Sequence, residues 1–294
     1  MTLTVAASAW QIRHARGDGD FFGHMYDHVQ AAYDAGAKVL VLPELFVLEL
    51  LSLAPDVEER HMPEFLAQWS SAIEDWLLRI SASSGITLVG GSYFRKAGHK
   101  RFQNVTATAT PQGVLKTYAK NKLTSYEREI WELQPGEGLA TLTEEVIGSL
   151  ICYDSEFPEA CRLLVQSGMQ LLCVPTFTED RYGYERVRVS CLARALENQI
   201  FVAQSSLLGT LDREPVPSTY GSSAILVPSC REFPDGSVLA ETSLGEEGLA
   251  VAKLDFALLA QIRSGGEVRN WADRDASSWS AEPKQVPKRA QDAS

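Results

Sequence analysis

The sequence is short of several things, and each shortage removes a class of function. It has no apolar run approaching the ~20 residues that a membrane-spanning helix requires, so no membrane partner is expected. Basic residues are scarce: 27 Lys and Arg against 38 Asp and Glu leave a formal net charge of −11. Nucleic-acid binding depends on clustered cations that neutralise phosphates, so no nucleic-acid partner is expected either. Cysteines are few and odd in number, 5 in all, scattered at Cys152, Cys161, Cys173, Cys191 and Cys230 with no Cys-x-x-Cys pair. All 5 histidines (His14, His24, His28, His61, His99) precede residue 100. Neither a disulfide framework nor a structural metal site fits that distribution, and no metal is expected. No Gly-x-Gly-x-x-Gly follows a strand, which argues against a nicotinamide enzyme, and no cofactor is expected. The first ten residues alternate like a strand and lack the basic segment of a signal peptide. A reduced, cytoplasmic protein is the expectation.

What the chain has is enough apolar residue, 45%, to bury a large core. Strand and helix patterns mix throughout. Leu3 to Ile12 reads as a strand, Phe22 to Ala35 as a helix, and Ala37 to Pro43 as a buried strand stopped by proline. Phe65, Trp69, Ala72, Trp76 and Ile80 recur at helical spacing, predicting one amphipathic helix from Pro63 to Ser83. Ile86 to Tyr93 is strand-like. Phe102 to Thr110 and Val114 to Ala119 form a hairpin about Pro111-Gln-Gly113. Val146 to Ile151, Pro158 to Ser167 and Leu171 to Val174 make a βαβ unit. A helix over Tyr184 to Asn198 and strands at Ile200–Ser205, Ser222–Val227, Gly236–Leu239 and Gly248–Leu254 complete the body. No linker divides it, so a layered α/β sandwich in one domain, residues 1–264, is expected, with a polar tail over 265–294.

Three segments carry candidate chemistry. Cys152 sits at the tip of a strand just before a helix that opens at Pro158, a place where thiolate character is favoured. Glu44 lies just past the end of a buried strand among Leu42, Leu45 and Phe46, where an apolar setting raises a carboxylate towards the pKa of a useful base. Lys120 closes a strand whose alternation points it the same way as Tyr118. A cysteine nucleophile needs a proton acceptor and a cationic partner for the developing oxyanion, and a glutamate with a lysine can supply both. A Cys/His pair is the commoner solution. Nothing around the five early histidines looks like a base site, though distance in sequence does not exclude them.

The segments Leu42-Pro-Glu-Leu-Phe46, Tyr118-x-Lys-x-x-Leu123 with Pro135-Gly136, and Ile151-Cys-Tyr-Asp-x-Glu-Phe-Pro158 resemble, in order and spacing, the catalytic segments of the nitrilase superfamily of carbon–nitrogen hydrolases. Val174-Pro-Thr-Phe177, Arg194-Ala-Leu-Glu-Asn198, Gly221-Ser-Ser and Asp235-Gly236 extend the resemblance over roughly residues 3 to 255. The chain departs from the pattern at Lys122, where many relatives carry histidine. The flanking residues still align Lys120 with the family's lysine. The resemblance is to an amidase-like branch of unassigned substrate.

That resemblance implies a four-layer α-β-β-α sandwich that assembles as a homodimer or larger homo-oligomer. It implies hydrolysis of a small linear amide through a thioester on Cys152. Glu44 would be the general base, and Lys120 with the Tyr153 backbone N–H would hold the oxyanion. A second glutamate after the lysine would orient substrate and water. Glu127 is preferred over Glu129, both lying on one side of an extended segment. Phe177 and Tyr182, in the loop after a strand, are expected to line the acyl pocket. Arg194 and Glu197 are expected to pair, and Asp154 and Glu156 to cap the turn and helix around them. A nitrile substrate, acyl transfer to an amine, and a non-catalytic scaffold that keeps the fold are the alternatives.

Overall fold

The computed structural model describes residues 2–142 and 146–274. The chain runs β1 (Thr2–Gln11), α1 (Asp18–Asp34) and β2 (Val39–Val41), then a 3₁₀ segment at Phe46–Leu53. Next come α2 (Met62–Leu66), α3 (Ser70–Ser84), β3 (Thr87–Val89), β4 (Tyr93–Lys96) and the hairpin β5 (Phe102–Ala109) with β6 (Leu115–Ala119). The short α4 (Ser125–Glu129) and β7 (Thr141–Leu142) precede β8 (Ile147–Ser149), α5 (Pro158–Gln166) and β9 (Leu171–Phe177). The chain continues with α6 (Arg181–Asn198), β10 (Phe201–Leu208), β11 (Ala224–Leu226), β12 (Val238–Glu241), β13 (Gly248–Asp255) and α7 (Phe256–Gly265).

Alternation along β1 sets the layers. Ala6 and Trp10 point to one face and Val5 and Ala7 to the other. One edge of β1 pairs in parallel with β2. The other edge is shared: β13 lies antiparallel along Thr2 to Ala9, and β10 lies parallel from Ala9 to Gln11. The hydrogen-bonded path therefore runs β4-β5-β3-β2-β1-β10-β9-β8-β7 and curls about β1. On the outer face of the β2–β5 half, α1 and α3 bury Met25 and Leu77 against Leu40, Leu88 and Ala107. On the outer face of the β8–β10 half, α5 and α6 bury Leu164 and Cys191 against Leu172 and Val202. The inner faces share a third cluster that includes Val5, Val41, Leu171, Phe201 and Ile225. Thr106, Thr108 and Tyr118 of the hairpin also face Ile147 and Ser149 across a small interior gap. Helices outside two apposed sheet halves are the expected α-β-β-α sandwich.

Four elements differ from the sequence reading. The strand expected over Ile86 to Tyr93 stops at Val89, and β4 begins at Tyr93. The expected helix over 63–83 is broken: a 3₁₀ turn at Ala67–Trp69 separates α2 from α3. There the Ser70 hydroxyl donates to the Ala67 carbonyl (2.9 Å) and the Gln68 amide to the Phe65 carbonyl (2.6 Å), drawing acceptors out of the helical ladder. The stretch carrying Glu127 and Glu129 is helical, not extended. Thr124 and Glu127 form a reciprocal capping box that starts α4. Helix α7 was not foreseen; Asp255 caps it, and Phe256, Leu259 and Ile262 pack into the inner cluster. Of the expected polar tail, residues 275–294 lie outside the described residues. Among the described residues, no helix is long and apolar enough to cross a membrane.

Gly91 shows how tightly the fold holds the loop after β2. Its φ is +54°, and a Cβ there would stand 2.2 Å from the Pro43 carbonyl oxygen. A side chain cannot fit without displacing the turn that carries Glu44. Gly91→Ala is expected to cost about 1–3 kcal/mol in urea unfolding, as overpacking does, and to lower activity in the fraction that remains folded. Unchanged stability and activity would show that this turn can move freely.

Candidate active site

Cys152 follows β8 with a φ of +42°, in the left-handed region that non-glycine residues seldom occupy. The turn is held by the Ser155 hydroxyl donating to the Cys152 carbonyl (2.6 Å) and by the Asp154 N–H donating to Ile151. This geometry turns Sγ towards the end of β9, 3.7 Å from the Phe177 carbonyl oxygen. Thiolate character is not found. The helix proper starts only at Pro158, and the thiol is buried. Burial, and then the Glu44 carboxylate beside it, push the thiol well above its ordinary range, outweighing the pull of Lys120. The resting sulfur is protonated and needs a base.

Glu44 is that neighbour. Its Oε2 accepts from the Phe177 N–H (3.0 Å), so the two peptide groups flanking the end of β9 tie carboxylate and thiol together. Its Oε1 accepts from Lys120 Nζ (2.7 Å) and Asn104 Nδ2 (3.1 Å). Lys120 Nζ also meets Glu127 Oε2 at 2.8 Å, and Asn104 Nδ2 donates to Glu127 Oε1 at 2.8 Å. Lys120 is only 2 % exposed. Burial alone would drive its pKa down, but Glu127 and Glu44 reverse this and raise it, so the ammonium stays charged. Burial raises Glu44, and Lys120 opposes the rise.

Glu44, Lys120, Glu127 and Cys152 open onto a cavity of about 340 Å³ whose wall includes Tyr153, Phe177, Tyr126 and Trp131. Glu156, Glu179, Asp180 and Arg186 also line it.

Residues 5–264 match the sequence profile of carbon–nitrogen hydrolases. The chain belongs to the carbon–nitrogen hydrolase family. Within the nitrilase superfamily, it is a hydrolase of carbon–nitrogen bonds other than peptide bonds, of the amidase-like kind. The probable hydrolase YhcX of Bacillus subtilis is 30% identical over 87% of this chain, which spans 50% of YhcX. The omega-amidase NIT2-B of Xenopus laevis is 26% identical over 82% of this chain and 85% of its own. Nit3 of Saccharomyces cerevisiae superimposes with a TM-score of 0.74 at 21% identity, covering 91% of this chain and 95% of that one. An amidase variant from Nesterenkonia sp. AN1 superimposes with a TM-score of 0.70 at 25% identity, covering 92% and 96%. That structure carries the acetamide moiety of fluoroacetamide covalently at its active-site cysteine.

Within this carbon–nitrogen hydrolase, Glu44, Lys120, Cys152 and Glu127 converge, with Tyr153 and Phe177 on the cavity wall. Glu129 is exposed on the far side of α4, which separates the two candidate glutamates. Tyr182 does not line the cavity; it is 73 % exposed at the start of α6, because the helix begins three residues earlier than its apolar pattern suggests. Arg194 pairs with Glu197 (2.5 Å) and also donates to the Ser155 carbonyl, bracing the Cys152 turn.

Asp154 was expected to cap its own turn. It reaches across to the lysine loop instead, accepting from the N–H groups of Asn121 (2.9 Å) and Lys122 (2.7 Å) and from the Tyr118 hydroxyl. Burial pushes its pKa up to about 7, against the pull of those two N–H groups. Asn104 escaped the sequence reading, although the hairpin register was legible: Val105 pairs with Ala119, which sets Asn104 beside Lys120. Replacing Asp154 by Asn would turn one acceptor into a donor facing N–H groups. Asp154→Asn is expected to lose about 1–3 kcal/mol in denaturant unfolding and to lower kcat more than it raises KM, because Lys120 is displaced. Wild-type kinetics in a stable variant would mean that this tie does not position the lysine.

Proposed function

We propose that the protein hydrolyses a small linear amide through a thioester on Cys152, with Glu44 as general base, Lys120 as oxyanion cation and Glu127 as the second glutamate. The observation that carries this reading is the coupling of Glu44 to both partners. One of its oxygens is on the Lys120 ammonium, and the other is on the peptide N–H of Phe177, whose carbonyl faces the thiol.

As sulfur attacks the amide carbon, a C–S bond forms and the thiol proton passes to Glu44. The carbonyl oxygen gains negative charge beside Lys120 and the Tyr153 N–H, donors that are in place before the reaction starts. Collapse breaks the C–N bond, and Glu44 returns the proton to the leaving amine. Water then attacks the thioester as Glu44 takes its proton. The C–S bond breaks, the acid departs, and the proton goes back to sulfur. Glu127 holds Lys120 from the far side and faces the cavity, a place from which it can orient substrate and water. The cavity volume of about 340 Å³ suits a small substrate. Support for an amide comes from the omega-amidase and amidase relatives and from the acetamide adduct on the Nesterenkonia amidase cysteine.

Intact-protein mass spectrometry with a panel of small amides, ω-amides and nitriles tests this reading. An acyl adduct on wild type that is absent from Cys152→Ala is expected, its mass naming the acyl group. Glu44→Gln should lower kcat by about 10²–10⁴-fold. An adduct that survives Cys152→Ala would remove Cys152 as nucleophile.

The pH profile carries a second expectation. Glu44 must be ionised to act as base, and burial raises its pKa. Activity should therefore fall on acidification at a pH above the ordinary carboxylate range. Lys120, held charged by two carboxylates, should contribute no alkaline limb near neutrality. A kcat/KM that is flat down to the normal carboxylate range would contradict Glu44 as the base.

A further inference from the structure

Away from this cavity, a second buried cluster of titratable side chains lies where α1 crosses the end of β1. His24 and His28 stand one turn apart on the same face of α1, both buried against Trp10. Their Nε2 atoms converge on one oxygen, Glu247 Oε1, at 2.8 Å and 3.3 Å. The three ligand atoms all lie within 4.8 Å of one another. We propose that His24 Nε2, His28 Nε2 and Glu247 Oε1 form a binding site for a divalent cation of borderline softness, Zn²⁺ foremost.

Two of the three ligand separations are close to what a bound metal requires, and the two imidazoles stand within 4.8 Å of each other. With metal–ligand bonds of about 2.0–2.1 Å, tetrahedral ligands stand roughly 3.3 Å apart. The His28–Glu247 separation already has that value, and the His24–Glu247 contact needs to open by only about half an ångström. Each ring is fixed through its other nitrogen. His24 Nδ1 is bound to Glu49 Oε2 (2.9 Å), and His28 Nδ1 to the Ser8 hydroxyl (3.0 Å). A carboxylate behind an imidazole is the arrangement that orients metal-ligating histidines. Glu49 is held in turn by the Trp10 indole N–H (3.0 Å) and the Arg13 backbone N–H (3.2 Å).

His24 has a carboxylate at each ring nitrogen, so without a metal it must carry protons on both. A cation at Nε2 takes the place of one proton, which leaves to solvent, while Nδ1–H stays on Glu49. Arg13 takes Glu247 Oε2, and apart from the two imidazoles Oε1 accepts only the long Gln11 N–H contact, at 3.4 Å. Glu247 is exposed just before β13, so the carboxylate end of the site lies at the surface while the two imidazoles are buried. A set of two imidazoles and one carboxylate favours zinc-like ions over Mg²⁺ or Ca²⁺, which prefer all-oxygen sites. The sequence reading found no metal-ligand set because Glu247 lies 219 residues beyond His28.

The test is Zn²⁺ titration of metal-stripped full-length protein against a chromophoric chelator, with Mg²⁺ as control and Co²⁺ absorption as a second readout. One equivalent of Zn²⁺ per chain is expected, with a rise in melting temperature that Mg²⁺ does not produce. His28→Gln and Glu247→Gln should each weaken the site at least tenfold and abolish the Co²⁺ ligand-field band. Glu247→Gln sits on an exposed turn and serves as the variant that keeps its fold if His28→Gln does not. No bound equivalent in wild type, or binding that both variants leave unchanged, overturns the proposal.

Discussion

The buried ammonium of Lys120 is the charge on which the active-site region depends. Glu44 and Glu127 each place an oxygen within 2.8 Å of it, at a depth where the partners must stabilise one another because water does not. The group carries two negative charges and one positive, and the Asn104 amide, donating to both carboxylates, is the neutral member that makes this tolerable. Removing one member of such a set leaves an uncompensated charge in a medium that solvates it poorly. The arrangement therefore fixes three loops at once: the one after β2 that carries Glu44, the one after β6 that carries Lys120, and α4 that carries Glu127.

The thiol shows why the base is needed. At a helix N-terminus or beside an unpaired cation, Cys152 would ionise unaided. In this site the nearest cation is already saturated by two carboxylates, and the sulfur meets a carbonyl oxygen and Glu44 instead. The sulfur stays neutral until a substrate carbonyl arrives to accept its electrons. In the proposed reaction Lys120 would then turn part of its charge towards the developing oxyanion, an interaction made only in the transition state.

How much of this was legible in the sequence follows from what each signal encodes. Strand alternation and proline or glycine stops are local, and they found β1, β2, the β5–β6 hairpin and the β8–α5–β9 unit within a few residues. Glu44, Lys120 and Cys152 were singled out because each lies at or just past a strand end, and the family resemblance joined them into one set; the structure brings the three to one cavity. Asn104 was overlooked because it sits inside a strand, where an asparagine reads as an outward residue unless the pairing register is followed to Lys120. Tyr182 was misplaced by a helix start set by a cap, Asp180, and not by apolar spacing. The thiolate expectation failed because burial and a neighbouring carboxylate, both set by tertiary structure, outweigh the field of a helix that begins at Pro158.

The segment from Pro43 to Leu53 joins the two charged clusters. Glu44 at its start is held by an ammonium and a peptide N–H, and Glu49 further on is held by an imidazole, an indole and another peptide N–H. Between them, Leu45 adopts a φ of +53° and its N–H is taken by the Ser92 hydroxyl at 3.0 Å. A turn so bent is stable only if both ends are pinned. Glu49 pins the far end to α1 and to Trp10 of β1, the strand about which the sheet curls. The rigidity that Glu44 needs to stay aligned with Cys152 is thus supplied in part from outside the active site, by the histidine-bearing face of α1.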